Sequence, residues 1–133
     1  MVTSKMEYNY NIILEILRSA FWKEIEIYVK NYVLGLETDQ LMDLFQTSLK
    51  FAMLHYIEEM GVADYEVGQQ EEQKYISGTL NVTAEIDCFI DWDGEDEWDG
   101  TREIEIVIDF GFYEKGEKYF DLELLHLYDE VIR

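Results

Sequence analysis

The stretch EIDCFIDWDGEDEWDGTREIE, Glu85 to Glu105, holds ten carboxylates (Glu85, Asp87, Asp91, Asp93, Glu95, Asp96, Glu97, Asp99, Glu103 and Glu105) against one cation, Arg102. It nevertheless alternates. Leu80, Val82, Ala84, Ile86, Cys88 and Ile90 precede the polar centre at every second position, and Ile104, Ile106, Ile108 and Phe110 follow it in the same rhythm. A period of two is that of a half-buried strand, whose successive side chains point to opposite faces. The stretch therefore reads as an antiparallel hairpin with one core face and one acidic face.

Working outward, the N-terminal half changes period. Ser4 to Glu7 fits a capping box, and Ile12, Ile13, Ile16, Leu17, Ala20 and Phe21 recur at helical spacing, which predicts a first helix over residues 5–19. Residues 21–36 carry both signals. Phe21, Ile25, Tyr28, Val29, Tyr32, Val33 and Leu36 share a helical face, whereas Glu24 to Ile27 alternates as a strand would; helix is favoured, with Gly35 as terminator. Thr38 and Asp39 can cap a third, long helix running through Leu41, Met42, Phe45, Leu49, Ala52, Met53 and Tyr56 to Met60 and Gly61. Residues 61–73 read as a connection. Either one long strand bent at Gly78 or two short ones are expected over 74–91, with further strands over 102–113 and, after a turn at Glu114 to Glu117, over 118–128.

The predicted architecture is α+β, a single domain over residues 1–133. Residues 1–61 are mainly helical, and residues 74–128 form antiparallel strands. Two or three N-terminal helices pack on a three- or four-stranded antiparallel sheet, a C-terminal meander with an acidic hairpin. The expected core is Ile13, Ile16, Leu17, Ile25, Val29, Leu41, Phe45, Leu49, Met53, Val82, Ile86, Ile104, Ile106, Ile108, Phe110, Leu122 and Leu124.

Composition narrows the function. With 48% hydrophobic residues the chain should fold despite a net charge of −20. Residues 1–63 hold nine acids and five bases, and residues 64–133 hold twenty-one acids and five bases, so the field comes from the C-terminal half. A field of that sign repels nucleic acid and anionic membranes and attracts basic protein surfaces. The sequence has neither an apolar run of spanning length nor a signal-like start, and a cytoplasmic protein is expected. The single cysteine, Cys88, reads as a small core hydrophobe.

No catalytic constellation emerges, and no enzyme activity or cofactor is expected. His55 and His126 belong to no triad and read as structural or interface residues; Glu72-Gln73-Lys74 matches a nuclease-like Glu-x-Lys only as a short chance pattern. The loop acids could supply oxygen ligands to calcium. Aligned as an EF-hand on Gly100, however, the closing bidentate position falls on Ile106, so that pattern fails and only an irregular, weak calcium or magnesium site remains as a metal reading. The expected partner-binding residues are Glu85, Asp87, Asp91, Trp92, Asp93, Glu95, Asp96, Glu97, Trp98, Asp99, Glu103 and Glu105. The two tryptophans serve as aromatic anchors ringed by charge. If Asp91 lies opposite Thr101, then Phe89 faces Glu103 and Asp87 faces Glu105, and Glu85, Asp87, Glu103, Glu105 and Asp109 share one exposed face.

Small size, the charge concentrated at Glu85 to Glu105, one cysteine and the lack of catalytic motifs together resemble the acidic DNA-mimic inhibitors of phages and mobile elements, of anti-CRISPR or anti-restriction type. This is a resemblance of class and carries no site residue across. It implies a non-enzymatic inhibitor in the host cytoplasm that occupies a basic nucleic-acid channel, such as the PAM-reading surface of a Cas nuclease. The alternative is an acidic interaction or self-assembly module, a homodimer for example, that associates through apolar helix faces including Phe51 and Leu54.

Overall fold

In the computed structural model, which describes residues 8–132, the helices come first because their apolar residues recur every three or four positions. Helix α1 (Tyr10–Ala20) buries Ile13, Ile16 and Leu17; α2 (Trp22–Leu34) buries Ile25, Val29 and Val33; α3 (Thr38–Phe45) buries Leu41. The capping box proposed at Ser4 to Glu7 lies outside the described residues. The cap of α1 is Asn9, whose side chain accepts from the Ile12 N–H at 2.9 Å. The 21–36 segment is helix, ended by Gly35. Its alternating Glu24 to Ile27 signal is overridden because Phe21, Ile25, Val29 and Val33 at four-residue spacing bury one continuous stripe.

Four antiparallel strands follow, β1 (Phe51–Gln70), β2 (Gln73–Trp92), β3 (Glu95–Lys115) and β4 (Lys118–Val131), hydrogen-bonded in that order. The fold is α+β, three helices on a four-stranded meander. None of the described helices is long and apolar enough to cross a membrane.

The long third helix is corrected: α3 stops at Phe45, and residues 51–70, read as helix and then connection, are a strand. The reason lies in bulges. The β1–β2 register shifts between Leu54 and Tyr56, between Ile57 and Glu59 and between Val62 and Asp64, each inserting an extra residue into β1. The residues that β1 turns toward the core are thus Ala52, Leu54, Ile57, Met60, Val62 and Tyr65. Their spacings of two and three imitate a helical period.

Helices and sheet share one core. Val82, Ala84, Ile86 and Cys88 of β2 and Ile104, Ile106 and Ile108 of β3 have no exposed surface, and burying each large aliphatic side chain contributes roughly 1.5–3 kcal/mol. Four expected core residues differ. Met53 is exposed opposite Asp87, and Phe45, Leu122 and Leu124 only line the core's edge. Phe51 and Leu54 are not on a helix face either: Phe51 stacks on Phe89 at 4.7 Å, and Leu54 packs against the core.

Polar links tie helices to strands. The Tyr8 hydroxyl donates to Glu114 at 2.8 Å, and the Tyr32 hydroxyl donates to Asp129, which His126 Nε2 also contacts at 2.8 Å. The Tyr32 ring stacks on His126, a structural role for that histidine. Burial first, and then the adjacent carboxylate, hold both phenols well above the ordinary value of 10.0.

Two outcomes follow. Below about pH 10 these tyrosines are neutral in folded and unfolded chains alike. Above it the unfolded chain ionises first, so stability is lost as pH rises. In an alkaline titration followed by tyrosinate absorbance, the two phenols should ionise only with unfolding, and Tyr32→Phe should make the stability loss above pH 10 shallower. At Gly78 a Cβ would lie 2.1 Å from the Asp64 carbonyl oxygen and 2.8 Å from the Tyr65 Cα. Gly78→Ala should therefore cost about 2 kcal/mol or more in urea denaturation.

Candidate partner-binding surface

The helices cover one face of the sheet, and the other face is open. Strand alternation sends the odd-numbered residues of β2 and β3 outward: Glu85, Asp87, Glu103, Glu105 and Asp109 lie there, between even-numbered neighbours that face the helices. The shared face agrees with the expectation, and the pairing does not. Glu85 lies opposite Glu103, Thr83 opposite Glu105 and Asp87 opposite Thr101, so the hairpin is tighter than the expected register.

The tightening has a local cause. Asp93 and Gly94 both have positive φ, 57° and 87°, and lie between the paired Trp92 and Glu95. This is the two-residue turn that matches strand twist, for which Asp-Gly is a preferred sequence. The Gly94 N–H donates to Asp91 Oδ1 at 3.0 Å. The second Asp-Gly pair has another use. Gly100, with φ 94°, belongs to the bulge that shifts register between Asp87 and Phe89.

The neighbouring strands end before the hairpin does. Strand β1 begins opposite Phe89 and β4 ends opposite Ile104, so residues 90–100 project as a two-stranded ribbon. Every residue from Asp91 to Asp99 is exposed. The ribbon has two faces. Asp91 and Asp96 oppose each other on the face that carries Phe89 and Trp98, while Glu97 opposite Ile90 and Glu95 opposite Trp92 lie on the reverse. Asp93 is in the turn, and Asp99 is drawn to Arg102 at 3.4 Å. The twelve expected residues thus form no single patch: Glu85, Asp87, Asp91, Asp96, Trp98, Glu103 and Glu105 share the open side, and Trp92, Glu95 and Glu97 face away from it.

Both tryptophans are exposed, Trp92 by 66% and Trp98 by 59%. They are held differently. Trp98 Nε1 donates to Asp87 Oδ1 at 3.0 Å, and the other oxygen of Asp87 meets His55 Nδ1 at 3.0 Å. Asp87 is fixed by two side chains, and Trp98 continues the aromatic row of Phe51 and Phe89. His55, placed on a helix by its sequence, is therefore a β1 residue of the acidic face. Of the nearby cations, Lys50 Nζ reaches Asp96 at 2.5 Å. Cys88 is buried, which pushes its thiol up, and it behaves as a core residue.

Sequence reasoning missed Glu58 and Glu130. Glu58 is the extra residue of a bulge in β1, and its contact with the Glu103 carboxyl, with the charge of Glu85 beyond it, pushes its pKa up. Glu130 lies opposite Glu105. Tyr56 lies opposite Glu85, and that carboxylate pushes its phenol up. Among the described residues no three or more His, Cys, Asp or Glu side chains are arranged to hold a metal ion.

Compared with known proteins, the chain matches no family model, no curated protein and no solved structure.

Opposed like charges weaken a sheet. Glu103→Gln removes the residue that faces both Glu58 and Glu85, so it should raise the urea midpoint at neutral pH. A raised carboxyl pKa means that the folded state binds the extra proton, and its ionisation penalty disappears as pH falls. The gain from Glu103→Gln should therefore shrink toward pH 4, and an equal gain at both pH values would show that the Glu58–Glu103 contact does not cause it.

Proposed function

We propose that this protein is a non-enzymatic inhibitor that mimics the charge of a nucleic-acid backbone and occupies the basic DNA-binding surface of a host defence nuclease, in the manner of an anti-CRISPR protein. The observation that supports this reading is the spacing of carboxylates on the open face. Across the three successive outward rungs at Thr83, Glu85 and Asp87 lie Glu59, Glu85, Asp87, Glu103, Glu105 and Glu130, with Glu58 in the bulge beside Glu103. Rungs on one face repeat every ~6.6 Å, so these seven charges, spread over four strands, give about one per 2.8 Å of strand axis. A DNA strand carries one phosphate per about 3.4 Å of helix axis.

The ribbon extends this array with Asp91 and Asp96 on the same side, and Trp98 beside them offers an aromatic face of the kind that anchors interfaces. Arginines that ordinarily contact phosphates would meet carboxylates here, in pairs that arginine forms with either anion. Trp92, with Glu95 and Glu97 on the reverse, would meet the second wall of a channel that encloses the ribbon. Self-association through the helices draws no comparable support, since the apolar stripes of α1 and α2 already lie in the core.

The test is displacement of a fluorescent duplex from purified nucleases, with a Cas nuclease and its PAM-bearing target as the first probe and restriction enzymes beside it. The protein should release the duplex competitively, with an association rate that falls steeply as ionic strength rises. A variant with Glu85, Asp87, Asp91, Asp96, Glu103 and Glu105 changed to the corresponding amides should lose the effect. Equal inhibition by that folded variant would sink the reading.

A further inference from the structure

At the end of the sheet far from the ribbon, the open face forms a groove of about 870 Å³ that involves all four strands. Its walls carry Asp64 and Glu66 from β1, Asp109 from β3 and Glu123 from β4, and no lysine or arginine is among its lining residues. Its floor is backbone. Gly111 lies beneath the Tyr75 hydroxyl, so close that a Cβ there would meet it at 2.0 Å, and Gly78 lets β1 approach within the clash distances given above. Ser77 and Thr79 add hydroxyls between the walls, and Thr79 reaches Asp109 at 3.4 Å.

A row of aromatic rings closes one end. Tyr75, Tyr113 and Phe120 are cross-strand neighbours on β2, β3 and β4, with centroids 4.9 Å apart for the first pair and 5.7 Å for the second. Carboxylates on several sides, an aromatic face and a backbone floor make up a guanidinium-binding chemistry. The planar guanidinium pairs with a carboxylate through two parallel hydrogen bonds while its plane lies on a ring, and the compact, strongly hydrated lysine ammonium has no such fork to pair in two places. The volume lies in the usual range for sites that enclose a small group, about 300–1,000 Å³.

We propose that this groove is a second binding site, separate from the ribbon, that takes an arginine-bearing segment of a polypeptide partner. One arginine lies between Glu66 and Glu123 with its plane against the Tyr75–Tyr113 row, and the segment's backbone runs over Ser77 and Thr79. The site is ~45 Å from the ribbon tip, since Asp93 lies fourteen positions along the chain from Thr79 at about 3.3 Å each. A partner that engages both must reach along the whole open face.

The probe is a short blocked peptide with two arginines among glycines, and its lysine counterpart, each titrated into the ¹⁵N-labelled full chain at fixed ionic strength. The amides of Ser77, Thr79, Gly111 and Leu125 should shift, and the arginine peptide should bind more tightly by roughly threefold, the worth of the second hydrogen bond of a bidentate pair. A variant with Asp64→Asn, Glu66→Gln and Glu123→Gln should lose these shifts while ribbon amides still respond. Equal affinity for the two peptides, or shifts confined to the ribbon, would overturn the proposal. The comparison needs no nuclease, so it stands or falls apart from the duplex-displacement result.

Discussion

The alternation of β2 and β3 governs the rest of the molecule. Their inward residues, from Ile76 to Cys88 and from Ile104 to Phe112, lie at the centre of the core beneath three helices. A strand has no third face, so whatever occupies the positions between them must face outward. A slip of one residue would carry Glu85 and Glu103 into that core and Ile86 and Ile104 into water, which fixes the register more firmly than any surface contact could. Two tight turns reinforce it: Asp93-Gly94 and Gly116-Glu117 have positive φ at both central positions, as a two-residue hairpin turn requires. The carboxylates are held in place by residues on the opposite side of the sheet.

That same alternation decides what could be read without coordinates. β2 and β3 are legible because few irregularities disturb their period, and α1 and α2 are legible because their buried stripes are uninterrupted. β1 hides behind its three bulges, where the step from Leu54 to Ile57 to Met60 looks like a helix turning. In the acidic hairpin Asp93-Gly94 is itself a two-residue turn signal, and placing Asp91 opposite Thr101 passes over it and shifts the register. Face membership survived the register error because it depends on parity alone within β2 and within β3. The groove was beyond reach: its acids come from three strands, and nothing in the order of Asp64, Asp109 and Glu123 along the chain announces that β1 and β4 flank the same two central strands.

A charged face can serve solubility, and solubility asks little of geometry. It is met by acids spread over turns and termini, where they repel one another weakly and cost the fold nothing. Here Glu85 faces Glu103, Glu105 faces Glu130, and Glu58 is pressed so close to Glu103 that its ionisation is disfavoured. Charges in that arrangement are screened over about 8 Å at physiological ionic strength, a distance longer than the spacing between rungs, so their repulsion is only partly relieved by salt. A cationic partner relieves it completely and gains a surface already ordered, with no loop to immobilise and its Asp87 carboxylate already oriented by Trp98 and His55. The tension in the free sheet and the attraction of a basic groove are two sides of one electrostatic arrangement. This is why the proposed role follows from where the core has put the acids and not merely from how many there are.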